Sequence, residues 1–332
     1  MERRKLGKSD VEVSALAFGA WAIGGWMWGG SDASEAVKAM ETAIDNGMTT
    51  IDTASVYGFG LSEELTGKAI KGKRDKVEVL TKFGMSWEGT KGEYFFESKD
   101  AGGNTVKIYK YSAKEKVIED CDSSLKRLKT DYIDLFQIHW PDATTPVSET
   151  MEALEILISR GKIRAGGVCN YSLDLMKEAV KSFTLASNQV PYSMVNRRIE
   201  EDVVPFCIGN NIAILAYSPM QRGLLTGKIR SGYNFNEGDN RPSTPYFREP
   251  NLSNINRILD SIKPIADEHD ATLAQVVLNW TMNRPGITCT LAGARDSAQV
   301  LENMGAVKFR LSNEETDKIN ALIADFSLVT NF

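Results

Sequence analysis

The feature that most constrains this chain is a pattern repeated eight times, in which a short apolar run precedes a longer segment with helical periodicity. Most of the runs are uniformly apolar in their first half, as strands buried on both faces must be, and such strands are usually parallel. The runs are SALAFGA (14–20), MTTIDTA (48–54), VEVLTKF (77–83), IDLFQIHW (133–140), IRAGGVCN (163–170), LASNQVP (185–191), IAILAYS (212–218) and ITCTLAG (287–293). Eight parallel strands alternating with helices predict an α/β fold, a (β/α)8 TIM barrel.

Several segments between these runs have the periodicity of amphipathic helices. They span residues 32–47, 112–128, 148–162, 172–182, 200–211 and 297–306. Gly47 and Gly161 are suited to end the first and third of them, since glycine readily adopts the left-handed conformation that follows a helix. Ser112 and Glu115 predict a capping box at the start of the second.

An open, doubly wound sheet is the alternative arrangement of such elements. That fold binds dinucleotides through a G-x-G-x-x-G turn after its first strand. The corresponding segment here, GGWMWGG (24–30), has a different spacing and places aromatic residues where a tight phosphate-binding turn would lie. The barrel is therefore favoured.

Three segments fall outside the repeat. Residues 3–13 contain two short β-like runs around a turn and predict an N-terminal β-hairpin at the barrel bottom. Residues 85–111 and 219–250 predict long loops after strands three and seven. Such loops lie on the C-terminal face, where barrel active sites are found. Because no linker-like boundary interrupts the repeat, residues 1–332 are expected to form one domain.

Charge and composition narrow the classes of function. The net charge of −5 gives no general attraction to nucleic acid or to anionic membranes. No run approaches the roughly 18 apolar residues of a membrane span, and the first residues lack the apolar core of a signal peptide. Four cysteines, at positions 121, 169, 207 and 289, lack the spacing of a zinc site and fit a reducing compartment. We therefore expect a soluble, cytoplasmic protein without a metal.

Polar residues interrupt consecutive apolar strands at their C-terminal ends. Asp52 ends strand two, Lys82 ends strand three and His139 ends strand four, while Tyr57 follows shortly after Asp52. Burying such groups costs several kcal/mol unless they are paired, so Asp52 and Lys82 are expected to form a pair.

These four residues suggest a mechanism of proton transfer. A tyrosine with an ordinary pKa of about 10 is a weak acid, and Lys82 beside it would lower that pKa. His139 would donate a hydrogen bond to a carbonyl oxygen that Tyr57 protonates. Each residue alone has a plainer interpretation, as a structural ion pair, a rim aromatic or a core histidine. Their occurrence together on one face of a barrel favours catalysis.

Longer motifs around these residues resemble those of the aldo-keto reductase superfamily, in particular its bacterial general-stress and inositol-type branch, which resembles the potassium-channel β subunits. The motifs are IDTASVYGFGLSEELTGKAI (51–70), LTKFG (80–84), SLKRLKTDYIDLFQIHWPD (124–142), GKIRAGGVCNYS (161–172), AYSPMQRGLLTGK (216–228) and GARDSAQVLENMGA (293–306). They occur in the family order over almost the whole chain. The resemblance implies a catalytic tetrad of Asp52, Tyr57, Lys82 and His139, and hydride transfer from NADPH without a metal.

The resemblance also implies how the nicotinamide end of the cofactor is held. Tyr217 would stack on the ring, Asn170 and Gln189 would hydrogen-bond the carboxamide, and Trp21 and Asp52 would lie beside it. An amide needs partners that both donate and accept, which Asn and Gln do. The family usually has Ser where this chain has a cysteine, Cys169, and a thiol is a weaker partner.

The phosphate end is implied in the same manner. The segment 218–228 would fold over the pyrophosphate, and Lys228 would pair with it. The residues of this segment implied to contact the cofactor are Ser218, Pro219, Gln221, Gly223 and Lys228. Those implied at the adenosine are Gly293, Arg295, Gln299, Glu302 and Asn303. Arg295 is the candidate for the 2′-phosphate, which favours NADP over NAD, with weaker use of NADH; the alternative is an arginine that caps its own loop.

Tryptophans predict an aromatic substrate pocket. The residues expected on the catalytic face are Trp21, Trp26, Trp28, Phe59, Trp87 and Trp140, with Met85 and Tyr246 as further candidates. Sugars and aromatic aldehydes both stack on indoles, and some of these side chains could instead pack loop against loop.

Three hypotheses about function follow. The first is an NADPH-dependent reductase of aldehydes or ketones, acting in reverse on alcohols or sugars. The others are an NAD(P)-dependent sugar dehydrogenase on the same scaffold and a cofactor-binding regulatory subunit with little turnover. Its partners would be small-molecule carbonyls or sugars, and the expected state is a monomer or a weak homo-oligomer.

Overall fold

A computed structural model of the protein describes residues 1–25, 32–236 and 238–330, and these residues contain the following strands. In chain order they are β1 (Arg3–Lys5), β2 (Glu12–Ser14), β3 (Leu16–Gly19), β4 (Thr50–Asp52), β5 (Glu78–Phe83), β6 (Met85–Ser86), β7 (Glu93–Lys99), β8 (Thr105–Lys110), β9 (Ile133–Ile138), β10 (Ile163–Cys169), β11 (Ser187–Pro191), β12 (Ala213–Tyr217) and β13 (Ile287–Gly293). The α-helices are α1 (Ala33–Asp45), α2 (Leu61–Ala69), α3 (Lys114–Leu128), α4 (Val147–Ser159), α5 (Leu173–Ala179), α6 (Val203–Asn210), α7 (Asn251–Glu268), α8 (Leu273–Met282), α9 (Ser297–Met304) and α10 (Asn313–Ala324).

Eight of the strands form a closed barrel in chain order: β3, β4, β5, β9, β10, β11, β12 and β13, with β13 pairing back to β3. All of these pairings are parallel. The register places Gly19 opposite Asp52 and Lys82 opposite Gln137. The predicted (β/α)8 barrel is confirmed, and each predicted apolar run contains one barrel strand.

Alternation along the strands separates two apolar layers. Small or branched side chains such as Ala17, Leu80 and Leu135 point into the barrel and form one buried cluster. Their neighbours in sequence, such as Phe18 and Phe136, join a second cluster that includes the helices. Burial on both faces explains why the runs are apolar at nearly every position.

The N-terminal caps of two helices can be compared with what the sequence around them predicts. Asp32 caps α1 by accepting hydrogen bonds from the backbone N–H groups of Ser34 and Glu35, at 2.8 and 3.0 Å. The capping box predicted at Ser112 is wrong, because α3 begins at Lys114 and the Ser112 side chain does not cap it. Instead, the Ser112 hydroxyl donates to Asp142 Oδ2 at 3.2 Å, and the backbone N–H of Lys114, at the helix start, donates to Glu149 Oε1 at 3.0 Å. A residue of helix α4 thus takes the place of a local cap.

The N-terminal hairpin of β1 and β2 plugs one end of the barrel. Leu6 in its turn is fully buried and belongs to the cluster inside the barrel. Gly7 has a φ of 54°, and a Cβ there would lie 2.7 Å from the carbonyl oxygen of Ala186, just before β11. Only glycine allows this close approach, so the hairpin is fitted to the barrel bottom as the sequence predicted.

Residues 85–111 contain more regular structure than the predicted loop. Strands β6, β8 and β7 form an antiparallel sheet, with a turn in which Asp100 Oδ1 accepts from the backbone of Gly102 and Asn104. Residues 219–250, in contrast, contain only short 3-10 turns among their described residues, as expected for a long loop. No helix in the described part of the chain is long and apolar enough to cross a membrane.

Candidate active site

A cavity of about 580 Å³ lies at the C-terminal ends of the barrel strands. The barrel topology explains its position, because the loops that follow parallel strands converge on one face. The sequence-predicted residues that line it are Trp21, Asp52, Tyr57, Met85, His139, Trp140, Asn170, Gln189, Tyr217, Ser218, Pro219, Gly223, Lys228, Gly293, Arg295, Gln299, Glu302 and Asn303.

Asp52 and Lys82 form a buried ion pair beneath the cavity. Lys82 Nζ donates to Asp52 Oδ2 and to the carbonyl oxygen of Thr53, each at 2.7 Å, and the lysine side chain is 1% exposed. The other carboxylate oxygen, Asp52 Oδ1, accepts from Gln189 Nε2 at 2.8 Å. Strands β4 and β5 are neighbours in the barrel, so their ends bring these opposite charges together.

Tyr57 lies above this pair in the turn that follows β4. Its ring centroid is 5.0 Å from Lys82 Nζ and 5.6 Å from the His139 ring, which it meets edge to face. Gly58 has a φ of 64°, and a Cβ there would lie 2.6 Å from the carbonyl oxygen of Gly24. The turn therefore requires glycine next to the tyrosine, and this fixes where the phenol enters the cavity.

The pKa of Tyr57 departs from the direction predicted from the sequence. Burial raises it to about 12, and the nearby charge of Lys82 opposes that rise without cancelling it. Lys82 thus lowers the pKa as predicted, but the loss of water around the phenol, which the sequence argument did not count, has the larger effect. Tyr57 holds its proton firmly at neutral pH.

The environment also fixes the charges of Lys82 and His139. Burial would lower the pKa of Lys82, but Asp52 and neighbouring groups raise it above its ordinary value. Burial, with help from the charge of Lys82, holds the pKa of His139 well below its usual range. Lys82 is thus a permanent cation and His139 a neutral imidazole, which has one N–H to donate.

Two amide side chains stand at one end of the cavity. Asn170 Nδ2 donates to the carbonyl oxygen of His139 at 3.0 Å, and Asn170 Oδ1 accepts from the Tyr217 hydroxyl at 3.0 Å. Gln189 has one amide hydrogen committed to Asp52. Cys169, between these residues, is buried, and burial raises the pKa of its thiol.

Two cationic residues of the cavity wall lie near helix α9. Lys228 Nζ pairs with Glu302 at 3.1 Å, which joins the loop after β12 to helix α9. Arg295 stands just before α9, where its backbone N–H donates to Gln299 Oε1 at 3.0 Å. Asn303 Nδ2 donates to the carbonyl oxygen of Gly293 at 3.1 Å. Cations beside a helix N-terminus create a local preference for anions.

Some predicted residues are placed elsewhere. Gln221 is not among the residues that line the cavity, and its Oε1 accepts from Ser193 Oγ at 3.2 Å. Phe59 and Trp87 also do not line it; their rings meet edge to face at 5.8 Å, in the same apolar cluster as Tyr57. Tyr246 is likewise absent from the cavity wall. Trp26 and Trp28 fall outside the described residues.

Sequence reasoning missed four prominent residues of the wall. Phe95 and Phe96 come from β7, in the segment expected to be an irregular loop, and Arg222 and Arg241 come from the loop after β12. The aromatic composition of residues 85–111 was a usable signal for the first two. The two arginines had no local signal, since only folding brings their loop to the cavity.

The described residues contain no group of three or more His, Cys, Asp or Glu side chains that could hold a metal ion. The charged and titratable side chains on the cavity wall instead include Asp52, Tyr57 and His139, together with the basic residues Arg222, Lys228, Arg241 and Arg295.

Comparison with known proteins identifies the family. The model of the aldo/keto reductase family matches residues 15–324, and the chain belongs to this family. It is therefore an oxidoreductase.

Three proteins illustrate the similarity. The chain is 34% identical to an NADH-specific methylglyoxal reductase of Escherichia coli (strain K12), over 95% of this chain and 96% of that one. The structure of a glycerol dehydrogenase from Gluconobacter oxydans superimposes with a TM-score of 0.88, at 34% identity over 99% of this chain and 98% of that one. An aldo-keto reductase from Klebsiella pneumoniae in complex with NADPH gives 0.73, at 27% identity over 97% and 96%.

Proposed function

We propose that this protein is an NADPH-dependent reductase of aldehydes and ketones, which also acts in reverse on alcohols or sugars. The observation that carries the proposal is the placement of Tyr57 and His139 on the wall of one cavity, directly above the buried Asp52–Lys82 pair. A proton donor, a hydrogen-bond donor and a fixed cation converge where a carbonyl oxygen could lie.

The lining of the cavity fits a nicotinamide dinucleotide. The amides of Asn170 and Gln189 suit a carboxamide, while Lys228 and Arg295 at the other end suit phosphates. The Klebsiella pneumoniae relative, whose structure holds NADPH, supports this choice of cofactor. When bound, the nicotinamide supplies the hydride that reduces a carbonyl carbon.

Each residue of the tetrad then has one task. The Tyr57 hydroxyl donates its proton to the carbonyl oxygen, which carries negative charge as the carbon is reduced. The neutral His139 imidazole donates a hydrogen bond to the same oxygen. Lys82 stabilises the phenolate that Tyr57 becomes, and Asp52 holds Lys82 in place through their 2.7 Å contact.

Turnover of a carbonyl panel tests the proposal. Purified protein should oxidise NADPH in the presence of aldehydes such as methylglyoxal or benzaldehyde. Tyr57→Phe should lower kcat by at least about a hundredfold, because the proton donor is lost. The same variant should bind NADPH as tightly as the wild type, measured by fluorescence titration.

A different outcome would favour a regulatory subunit. Tight NADPH binding by the wild type, with no reduction of any panel member, would overturn the proposed reductase. Retained activity in Tyr57→Phe would instead overturn only the role assigned to Tyr57.

A second candidate is a dehydrogenase that mainly oxidises polyols. The specific observation in its favour is the TM-score of 0.88 to a glycerol dehydrogenase. Initial rates with glycerol and NADP⁺, set against rates with glyceraldehyde and NADPH, distinguish the two directions. A larger kcat/KM for glycerol oxidation at neutral pH would favour the dehydrogenase.

A further inference from the structure

Arg222 contacts the ring of Trp21, which in turn stacks on Tyr57, the proposed proton donor. Its guanidinium carbon is 5.2 Å from the ring centroid of Trp21, and the Trp21 ring stacks on Tyr57 with centroids 6.2 Å apart. All three side chains line the cavity. The cation therefore stands beside the region where a substrate would meet Tyr57.

The backbone and a second arginine hold Arg222 in this position. Arg222 has a φ of 57° and a ψ of 36°, a left-handed conformation that is strained for a residue other than glycine. Arg241 Nη1 donates to the carbonyl oxygen of Arg222 at 3.1 Å. Arg241 is itself fixed by a 2.6 Å ion pair with Asp239, whose side chain is almost fully buried. Arg222 Nη2 also donates to the neutral side chain of Asn240.

The balance of charge at this point favours an anion. The carboxylate of Asp239 is engaged by Arg241, and that of Glu302 by Lys228. Burial lowers the pKa of Arg222 to about 10, and the carboxylate of Asp239 opposes the shift only in part. A cation held in a partly dry cavity is stabilised when an oxyanion enters beside it.

The remainder of the chamber is apolar. Met85, Phe95, Phe96 and Trp140 form its wall near Tyr57 and His139. A substrate bound against these side chains has the Arg222 guanidinium on the side of Trp21. This asymmetry suits a molecule with a reactive carbonyl, a small or aromatic body and one charged end.

We infer that Arg222 binds a carboxylate or phosphate group of the substrate, so that the enzyme prefers carbonyl compounds that carry an oxyanion. The inference rests on the proposed reductase function and names its substrate class. A guanidinium suits this task because its planar N–H groups match both carboxylate and phosphate. The proposed function assigns the cofactor phosphates to two other residues of the cavity wall, Lys228 and Arg295.

Matched pairs of aldehydes test the inference. The pairs are 4-carboxybenzaldehyde with benzaldehyde, and glyceraldehyde 3-phosphate with glyceraldehyde. In the wild type, kcat/KM should be at least about tenfold higher for the anionic member of at least one pair. Arg222→Met should lower kcat/KM for that member about 10- to 100-fold and change the neutral member less than about threefold.

Arg230→Met is the matched control. Arg230 lies in the same loop region but pairs with Asp260 at 2.7 Å, and it does not line the cavity. Its loss removes the same net charge, so any general electrostatic effect appears in both variants. The control should keep the wild-type preference for anionic substrates.

Two outcomes would overturn the inference. Equal losses for charged and neutral aldehydes in Arg222→Met, with weaker NADPH binding, would assign Arg222 to the cofactor phosphates. Unchanged kinetics in that variant would mean that Arg222 only supports its loop.

A binding measurement keeps the inference testable if the wild type reduces no aldehyde and the proposed function fails. Glycerol 3-phosphate should change the intrinsic tryptophan fluorescence of the NADPH-loaded wild type, with glycerol as the neutral control. Arg222→Met should weaken that binding at least about tenfold. Equal affinity in both proteins would overturn the oxyanion anchor independently of turnover.

Discussion

Tyr57 shows how burial and charge compete at a single side chain. Its pKa is raised to about 12 by burial, although Lys82 acts in the opposite direction. The lysine therefore does not make Tyr57 a strong acid before the reaction. Its charge matters when the proton leaves, because the phenolate then gains a partner at short range.

The first prediction concerns the pH dependence of reduction. Reduction needs protonated Tyr57 and neutral His139, whose pKa values are raised and strongly lowered respectively. We expect kcat/KM to be flat from about pH 6 to about pH 9 and to fall only as the pH approaches the pKa of Tyr57. Stopped-flow measurement under single-turnover conditions checks this. An inflection near pH 6.5 would show that His139 titrates and would contradict the assigned state.

Lys82→Met extends the same test. The substitution removes the charge that lowers the pKa of Tyr57, so the alkaline limb of the profile should move to higher pH and kcat should fall about a hundredfold or more. An unchanged profile in this variant would exclude the role assigned to the lysine.

A second prediction concerns Arg295 and the choice between NADPH and NADH. Arg295→Ala should weaken NADPH binding about tenfold and leave NADH binding within about twofold, because only NADPH has the 2′-phosphate. Fluorescence titration with both cofactors measures this. Equal effects on the two would assign Arg295 to the pyrophosphate or to its own loop.

The site residues that could be predicted from the sequence are charged or polar residues that stand within apolar strands, where burial would be costly without a partner. Asp52 and Lys82 stand out because each places a charge at the end of an apolar strand. Arg222 could not be predicted to line the cavity, because an arginine in a polar loop is common and gives no sign of burial. Its proximity to Trp21 exists only after β3 and β12 have joined one barrel.

At the scale of elements, the sheet of β6, β8 and β7 defines one wall of the chamber. Phe95 on β7 lines the cavity and packs against Trp140 with ring centroids 5.4 Å apart. Tyr94, the preceding residue, is 51% exposed. Tyr94 and Phe95 thus alternate between the two faces of the strand. Phe96 also lines the cavity, because the pairing of β7 with β8 shifts register between Tyr94 and Phe96.

The third prediction uses that alternation. Phe95→Ala should raise KM for benzaldehyde roughly fivefold, equivalent to about 1 kcal/mol, because an aromatic contact is lost. KM for methylglyoxal, which has no ring, should change less than about twofold. Tyr94→Ala is the control on the opposite face and should leave both values near those of the wild type. An equal rise for both substrates would show that the wall acts through general closure of the site.

The elements differ in how well the sequence predicts them. The barrel strands were predictable because burial on both faces makes them apolar throughout. The sheet in residues 85–111 was not, since β7 and β8 are partly exposed and rich in charged residues. The start of α3 was misplaced because the Ser112 hydroxyl bonds to Asp142, thirty residues later, and Glu149 accepts from the first backbone N–H of the helix.

At the scale of the whole molecule, stability and catalysis occupy opposite ends of the barrel. The hairpin of β1 and β2 closes the bottom, where Leu6, Val11 and Val13 enter the interior cluster. The cavity with Tyr57 opens at the other end. The two ends share the barrel strands, and Leu291 and Tyr217 are side chains that contact both the interior cluster and the cavity.

The fourth prediction follows from this separation. Leu6→Ala should lower the free energy of unfolding by about 2 to 5 kcal/mol, because it leaves a cavity in a fully buried cluster. The kcat of the folded variant at 25 °C should stay within about twofold of the wild type. Denaturant titration and steady-state kinetics measure the two quantities. Lys8→Ala, on the exposed side of the same turn, should change stability by less than about 0.5 kcal/mol.

The antiparallel sheet after β5 bears on how such a protein diversifies over generations. Within the described chain its strands pair with one another and form no ladder with the barrel. Mutations on the exposed face of this sheet therefore leave the backbone pairing of the barrel strands unchanged, whereas its buried residues, such as Phe95 and Ile108, pack in the same cluster as Tyr57. Substitutions in this one short segment could therefore change which aldehydes are accepted during evolution, while the catalytic residues and the reaction stay the same.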